Sequence, residues 1–317
     1  MKLQASPGNP VVEPVRDEDV FEGAERPVRR IAAIHDLSCF GRCALTVVIP
    51  TLSAMGNQVV PVPTALLSTH TGGFSGMYFC DLTDSMTPVF EHFGRLGLKF
   101  DAVYTGFLGS ARQLDVVGRF LDRFADSGTT VMVDPVMGDD GILYSTYTEE
   151  LMRGMAGLCR RADIITPNLT EACFLTGIPY EDTAAMEPEE RTLYTGRLIG
   201  ELYSLTGAGR IVITGICDGP DRLLTVGAER GKATVYVKVT RVPKNYPGTG
   251  DFYASVLLGA LLRGDGFAGS VGYACRMTRR VMAYSAKFDT PTRDGVALER
   301  FLGELAGSGE DPEREKN

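Results

Sequence analysis

Gly248-Thr249-Gly250-Asp251 closes a β-rich stretch and opens the apolar run Phe252-Tyr253-Ala254-Ser255-Val256-Leu257-Leu258. A tight turn, the first amides of a helix and a carboxylate therefore coincide. Glycines let the backbone turn sharply and approach a ligand, while helix-start amides lack intrahelical partners and point outward at the positive end of the helix dipole. Phosphate binds well in such a place. A carboxylate at Asp251 would sit beside those amides, able to take the proton of a substrate hydroxyl as its oxygen attacks a phosphoryl group. The same residues also fit a plain turn followed by an N-cap aspartate.

Two further segments place oxygen donors where strands hand over to loops, the edge of a parallel sheet at which ligands bind. Val133-Asp134-Pro135-Val136-Met137-Gly138-Asp139 carries two carboxylates past one strand, and Ile164-Ile165-Thr166-Pro167-Asn168-Leu169-Thr170-Glu171 carries an Asn and a Glu past the next. Adjacent parallel strands would bring them together. Donors of this kind suit Mg²⁺, which keeps several waters and takes one or two carboxylates along with phosphate oxygens. Taken alone, Asn168-x-x-Glu171 also reads as a helix cap with a reciprocal Glu, and Asp134-Pro135 as a strand end.

Other chemistries lack their parts. His35, His70 and His92 are the only histidines and no G-x-S-x-G occurs, which leaves a hydrolytic triad poorly supported. Cys39-x-x-x-Cys43 has no second pair at zinc-ligand spacing, and the turn from Asp36 to Arg42 lacks the G-x-G-x-x-G of a dinucleotide site. Seven scattered cysteines, an odd number, read as reduced thiols. A net charge of −8 gives no general attraction to nucleic acid or to an anionic membrane. No apolar run is long enough to span a bilayer and no signal core follows Lys2, so a cytoplasmic protein with small-molecule partners is expected.

The elements that must position these groups follow from periodicity. The 317 residues, 44% hydrophobic, suffice for a large buried core. Residues 1–28 carry four prolines among acids and read as a tail or strap, residues 29–306 as the folded domain, and 307–317 as a polar tail. Strands are expected at Arg30–His35, Gln58–Val62, Ala102–Thr105, Thr130–Asp134, Ala162–Thr166 and Ile211–Thr214, with helices between most of them. That alternation predicts a parallel sheet covered on both faces. Arg222–Val226 and Thr234–Val242 have no helix between them and predict a late antiparallel hairpin. The helices Asp251–Arg263, Ser270–Ser285 and Val296–Leu305 complete the layers.

In this order the three motifs resemble those of the ribokinase-like (PfkB) superfamily, in its branch of pyridoxal kinases and hydroxymethylpyrimidine kinases, from about Ile31 to Ser285. Ser68-Thr69-His70-Thr71-Gly72 and Thr105-Gly106-Phe107-Leu108-Gly109-Ser110 are similar to segments of the pyridoxal kinase family in particular. The resemblance implies a three-layer α/β/α sandwich with a mostly parallel sheet. It also implies transfer of the ATP γ-phosphoryl group to the 5′-hydroxymethyl of a B6 vitamer, in salvage to pyridoxal 5′-phosphate, by a homodimer. Asp251 would be the base, and Gly248, Thr249 and Gly250 the anion hole, with Asn168 and Thr214 at the ATP phosphates. Asp139 and Glu171, with Asp134, would hold Mg²⁺, and Thr166 would line a phosphate or monovalent-cation region. Asp36, His70, Thr71 and Phe107 would surround the ring, under a lid from Thr69 to Tyr78. Asp36, Thr69 and Phe107 depart from the Ser, Asn and Tyr common in pyridoxal kinases. They keep open a hydroxymethylpyrimidine kinase, and a kinase-like fold that only binds or senses a B6 vitamer stands as a separate alternative.

Overall fold

The computed structural model of the protein describes residues 26–144 and 147–307. The expected strap lies outside these residues except for its last three, and the expected polar tail lies outside them except for Gly307.

In chain order the elements are β1 (Arg30–Phe40), α1 (Leu45–Ala54), β2 (Gln58–Thr69), β3 (Phe79–Asp81), α2 (Thr83–Arg95), β4 (Ala102–Thr105), α3 (Ala111–Phe124), β5 (Thr130–Val133), β6 (Gly138–Asp139) and β7 (Ile142–Leu143). There follow α4 (Glu149–Cys159), β8 (Ile164–Ile165), α5 (Leu169–Thr176), α6 (Pro188–Thr206), β9 (Arg210–Cys217), β10 (Arg222–Glu229), β11 (Val235–Thr240), α7 (Thr249–Arg263), α8 (Phe267–Ser285) and α9 (Leu302–Gly307). The main sheet has the order β11-β10-β9-β8-β5-β4-β1-β2-β3. Its central strands, from β9 across to β2, pair in parallel. The expected hairpin, β10 with β11, is antiparallel at one edge. At the other edge β3 adds an antiparallel pair that the periodicity did not indicate.

Short unbroken apolar runs make these strands because both faces are buried, and alternate residues serve opposite layers. Ala32 and Ile34 of β1, Val103 of β4 and Val133 of β5 enter one core with Phe90, Phe120, Leu151 and Leu198 of α2, α3, α4 and α6. Ile31, Ala33, Tyr104 and Met132 point the other way and meet Leu45, Val48, Ala254 and Leu258 of α1 and α7. The expected three-layer sandwich is the result.

Among the boundaries that differ from expectation, three stand out. β1 runs on to Phe40, with a register shift against β2 between His35 and Leu37, so Asp36 belongs to the strand rather than to a turn. Bulges of this kind re-aim a side chain at the edge of a site. β2 continues through Pro61 and Pro63 because its antiparallel neighbour pairs only from Ala65 to Leu67, leaving no donor needed on that side of the prolines. The expected helix Val296–Leu305 is instead a 3₁₀ turn at Leu298–Arg300 followed by the short α9.

Just past β9, Asp218 is 3% exposed and accepts from Arg191, Arg222 and Lys238. Burial alone would raise its carboxyl, but the three cations outweigh that and hold it below the ordinary range. Arg191 also donates to the Thr183 carbonyl, and the Thr183 hydroxyl accepts from the Cys217 N–H, so the cluster fastens the α5–α6 loop to the sheet edge. Replacing Asp218 with Ala leaves Arg191 buried without its partner. A loss of about 3–5 kcal/mol is expected from urea unfolding at pH 7. The stabilisation is present above the unfolded carboxyl value and disappears as pH falls through the lowered folded one. A loss under about 1 kcal/mol would show that the cations are held without Asp218.

Candidate active site

α7 begins where the chain leaves β11 and returns under the loop after β1. Gly248, the N-cap, has φ 78°, and a Cβ there would lie 2.1 Å from the Arg42 carbonyl oxygen, so only glycine fits. Asp251 occupies the first turn of α7 but caps none of its amides. Its carboxylate reaches across to the start of α1, where Oδ2 accepts the Ala44 N–H at 2.8 Å and lies 3.6 Å from Cys43 Sγ. Ala44 holds φ 50°, ψ −129°, a conformation that costs a non-glycine residue about 1–3 kcal/mol. The strained residue supplies the amide that fixes Asp251. Oδ1 accepts no hydrogen bond among the described residues and faces His35 Nδ1 at 4.0 Å. Burial raises the Asp251 carboxyl above its ordinary value, against the Ala44 amide, the Cys43 thiol and His70, which lower it.

Two more buried acids share this region. Asp36 accepts from Ser38 Oγ at 2.8 Å; burial, reinforced by the charge of Asp251 and opposed by Ser38, pushes its carboxyl up to about 7. Asp134, immediately after β5, is raised well above the ordinary range by burial and then by Asp251, with the Thr166 hydroxyl opposing. Among the described residues no Lys or Arg forms an ion pair with Asp36, Asp134 or Asp251. Charge of one sign without a resident counter-charge suits a cation or hydrogen-bond donors brought by a ligand.

The parallel pairing of β5 with β8 brings the second and third motifs together as expected. There the helix cap is realised in full. Asn168 accepts the Glu171 N–H at 2.9 Å, and Glu171 Oε2 accepts the Asn168 N–H at 2.8 Å. Glu171 Oε1 accepts the Met137 N–H at 3.0 Å, and Asn168 Nδ2 donates to the Gly138 carbonyl at 2.8 Å. Both carboxylate oxygens of Glu171 are thus occupied, Oε2 in the cap of α5 and Oε1 in tying the chain just before β6 to that helix. Asp139 stands exposed on that hairpin, accepting the N–H of Asp140. Among the described residues, no group of three or more His, Cys, Asp or Glu could hold a metal ion. Thr214 bridges to Asn168, its N–H donating to the Pro167 carbonyl at 3.0 Å, ahead of Gly215 with φ 73°. Thr166 is buried, its hydroxyl near the Asp134 carboxylate but outside hydrogen-bonding geometry.

The substrate-side residues are placed less uniformly. His70 is buried, its Nδ1 accepting the Gly72 N–H at 3.1 Å and its Nε2 lying 2.6 Å from the Arg293 carbonyl, which together require the Nε2–H tautomer. It clips the loop after β2 to the turn at Thr292–Asp294. Thr71 is exposed, and Phe107 is half-buried against the core beneath α2 and α3. Three neighbours of Asp251 were not singled out from the sequence: Cys43, Ala44 and His35. A backbone amide and a positive φ at alanine carry no sequence signal. Gly106 does carry one for His35, since a Cβ there would lie 2.2 Å from Nδ1.

Residues 48–293 match the phosphomethylpyrimidine kinase family. The chain is 30% identical to the pyridoxal kinase of Arabidopsis thaliana over 66% of each protein. It is 27% identical to the pyridoxine/pyridoxal/pyridoxamine kinase of Bordetella avium, over 83% of this chain and 90% of that one. A Bacteroides thetaiotaomicron protein described as a phosphomethylpyrimidine kinase and crystallised with pyridoxal superposes with a TM-score of 0.80. It is 38% identical, over 88% of this chain and 96% of that one. The pyridoxal kinase of Lactobacillus plantarum superposes with a TM-score of 0.78 and is 32% identical, over 88% and 97%.

Asp36 gives this site a pH signature. Its folded carboxyl titrates at about 7 and an unfolded aspartate near 3.9, so the folded state binds the extra proton between those values. Stability contributed at that position therefore falls as pH rises from about 4 to about 7. Asp36→Asn should remove this dependence and be more stable than wild type at pH 8, by at most about 4 kcal/mol. Urea unfolding of both proteins at pH 5 and pH 8 measures it. A wild type that gains stability over Asp36→Asn across that range would overturn the placement of Asp36 as a buried, unpaired acid.

Proposed function

The chain belongs to the phosphomethylpyrimidine kinase family, within the ribokinase-like (PfkB) superfamily, and on that ground we propose its reaction: it transfers the γ-phosphoryl group of ATP to the 5′-hydroxymethyl of pyridoxal, pyridoxine or pyridoxamine. The observation that carries this reading is the state of Asp251, one oxygen fixed by the Ala44 amide and the other unpaired at a glycine-led helix start. Asp251 Oδ1 accepts the proton of the substrate hydroxyl as that oxygen attacks the γ-phosphorus and ADP departs. The N–H groups of the Gly248–Gly250 turn and the first turn of α7 face the negative charge that spreads over the phosphoryl oxygens. Because that transition state is loose, rate comes chiefly from placing the reactants and from fixed dipoles.

A B6 vitamer is favoured over hydroxymethylpyrimidine because the relatives are named as pyridoxal kinases and the Bacteroides protein was crystallised with pyridoxal. Asp36, near neutrality in its ionisation, would stabilise a protonated ring nitrogen. For Mg²⁺ the donors are all hard oxygens, which fits. Asp134 offers a buried carboxylate lacking a counter-charge, Asp139 is accessible, and Glu171, with both oxygens engaged by amides, would serve through water. Bound with the nucleotide, the ion would offset the charge of the ATP phosphates. Asn168 and Thr214 would line the phosphates and Thr166 the region beside them. Phe107 would give the ring an apolar face, and His70 would act by holding the loop that carries Thr71.

Steady-state turnover of wild type and Asp251→Asn with pyridoxal, pyridoxine, pyridoxamine and hydroxymethylpyrimidine tests the reading. The substitution should lower kcat by about 10²-fold or more while ATP affinity stays close to wild type. Near-wild-type turnover would remove Asp251 from the role of base, and a higher kcat/KM for hydroxymethylpyrimidine than for every vitamer would replace the substrate.

A further inference from the structure

The reaction above leaves His35, a neighbour of Asp251, without a task. His35, on β1, is fully buried, its ring edge-on to Tyr104 with centroids 4.3 Å apart and planes at 76°. On its other side Gly106 leaves room that no other residue would, since a Cβ there would reach within 2.2 Å of Nδ1. Neither ring nitrogen has a hydrogen-bond partner among the described residues. The Tyr104 carbonyl is near the ring but outside hydrogen-bonding geometry. The Tyr104 hydroxyl and Ser255 Oγ, the latter one turn beyond Asp251 on α7, are likewise buried and lie near each other but outside hydrogen-bonding geometry.

Buried polar atoms without partners are rare in native folds, and a group of them around one carboxylate is unlike ordinary core packing. Burial holds the imidazole neutral, with its ionisation pushed down to about 3, so His35 cannot compensate the charge of Asp251. It can hydrogen-bond to it. A neutral imidazole has one N–H and one lone pair, and an Nδ1–H tautomer places its donor nitrogen 4.0 Å from Asp251 Oδ1. That separation is about 1 Å beyond a normal hydrogen bond, and bonds of this class commonly tighten only in the reacting complex.

We propose that His35 is a positioning residue: when substrates engage, its Nδ1–H donates to Asp251 Oδ1 while the Ala44 N–H holds Oδ2. The plane of the carboxylate is then fixed from both ends, and the remaining lone pair of Oδ1 is turned toward the substrate hydroxyl. The same bond favours the ionised form of Asp251 against its burial. This role rests on the kinase reading above, since it orients the base of that reaction. A core histidine that merely fills space between β1, β4 and α7 would do none of this.

Three substitutions separate the two cases. Leu matches the bulk of His without a donor, Asn places an amide nitrogen near the position of Nδ1, and Gln places one near Nε2. His35→Leu should melt at or above the wild-type temperature, because it removes two unpaired polar atoms, with KM for vitamer and ATP within about twofold and kcat lowered about 10- to 100-fold. His35→Asn should recover kcat to within about fivefold of wild type, and His35→Gln should not. Wild-type kcat in His35→Leu overturns the proposal, as does a parallel loss of kcat and melting temperature in His35→Leu and His35→Asn alike. Wild-type turnover in the same assay tests the kinase reading separately: its absence overturns both, while its presence leaves the variant ratios to decide on His35 alone.

Discussion

A single interaction organises the site: the Ala44 N–H held on Asp251 Oδ2. It joins the start of α1 to the start of α7, two helices that share one face of the sheet, and it favours the ionised form of a carboxylate whose ionisation burial opposes. The backbone strain at Ala44 has its explanation here. A residue held at positive φ without being glycine persists where the surroundings determine it, and here they are the Gly248 turn packed on the Arg42 carbonyl and the carboxylate that takes the amide. The other oxygen of Asp251 stays unpaired, which leaves it open to a hydroxyl.

Around that anchor the sheet collects acids faster than it neutralises them. β1 delivers Asp36 through a bulge, β5 delivers Asp134, and α7 delivers Asp251, with no cation among the described residues paired to any of the three. Among the described residues, ion pairs form elsewhere, as at Asp218, where three cations converge on one carboxylate. The contrast is physical. Asp218 is an ion cluster that fastens a loop, whereas Asp36, Asp134 and Asp251 stand without a paired cation among the described residues, an arrangement that suits a ligand bringing donors or positive charge.

Much of this was legible in the residues. Apolar runs alternating with amphipathic stretches predicted the parallel sheet with helices on both faces, and the pairing of β5 with β8 brought the second and third motifs together as expected. The ambiguous motifs then resolved in opposite directions. Asn168-x-x-Glu171 is a helix cap in full, while Asp251, an equally plausible cap by composition, caps nothing and bonds to another helix. Both are acids in the first turn of a helix, so local pattern could not separate them. The difference lies in what approaches from 207 residues away in sequence. The same limit explains His70, whose two nitrogens are taken by Gly72 and by Arg293, a partner far along the chain.

What the sequence by itself determined is the layered fold, the location of the glycine-led turn before α7 and the identity of the acids, because hydrophobic period, glycine spacing and side-chain chemistry are local properties. Tertiary structure alone decided which acid is free and which is occupied, that Asp36 projects from a strand rather than a turn, and that Ala44 and His35 flank Asp251. Those outcomes depend on backbone amides and on register between distant segments. Neither is written in residue type, since every residue but proline carries the same amide and only the packed sheet sets where it points.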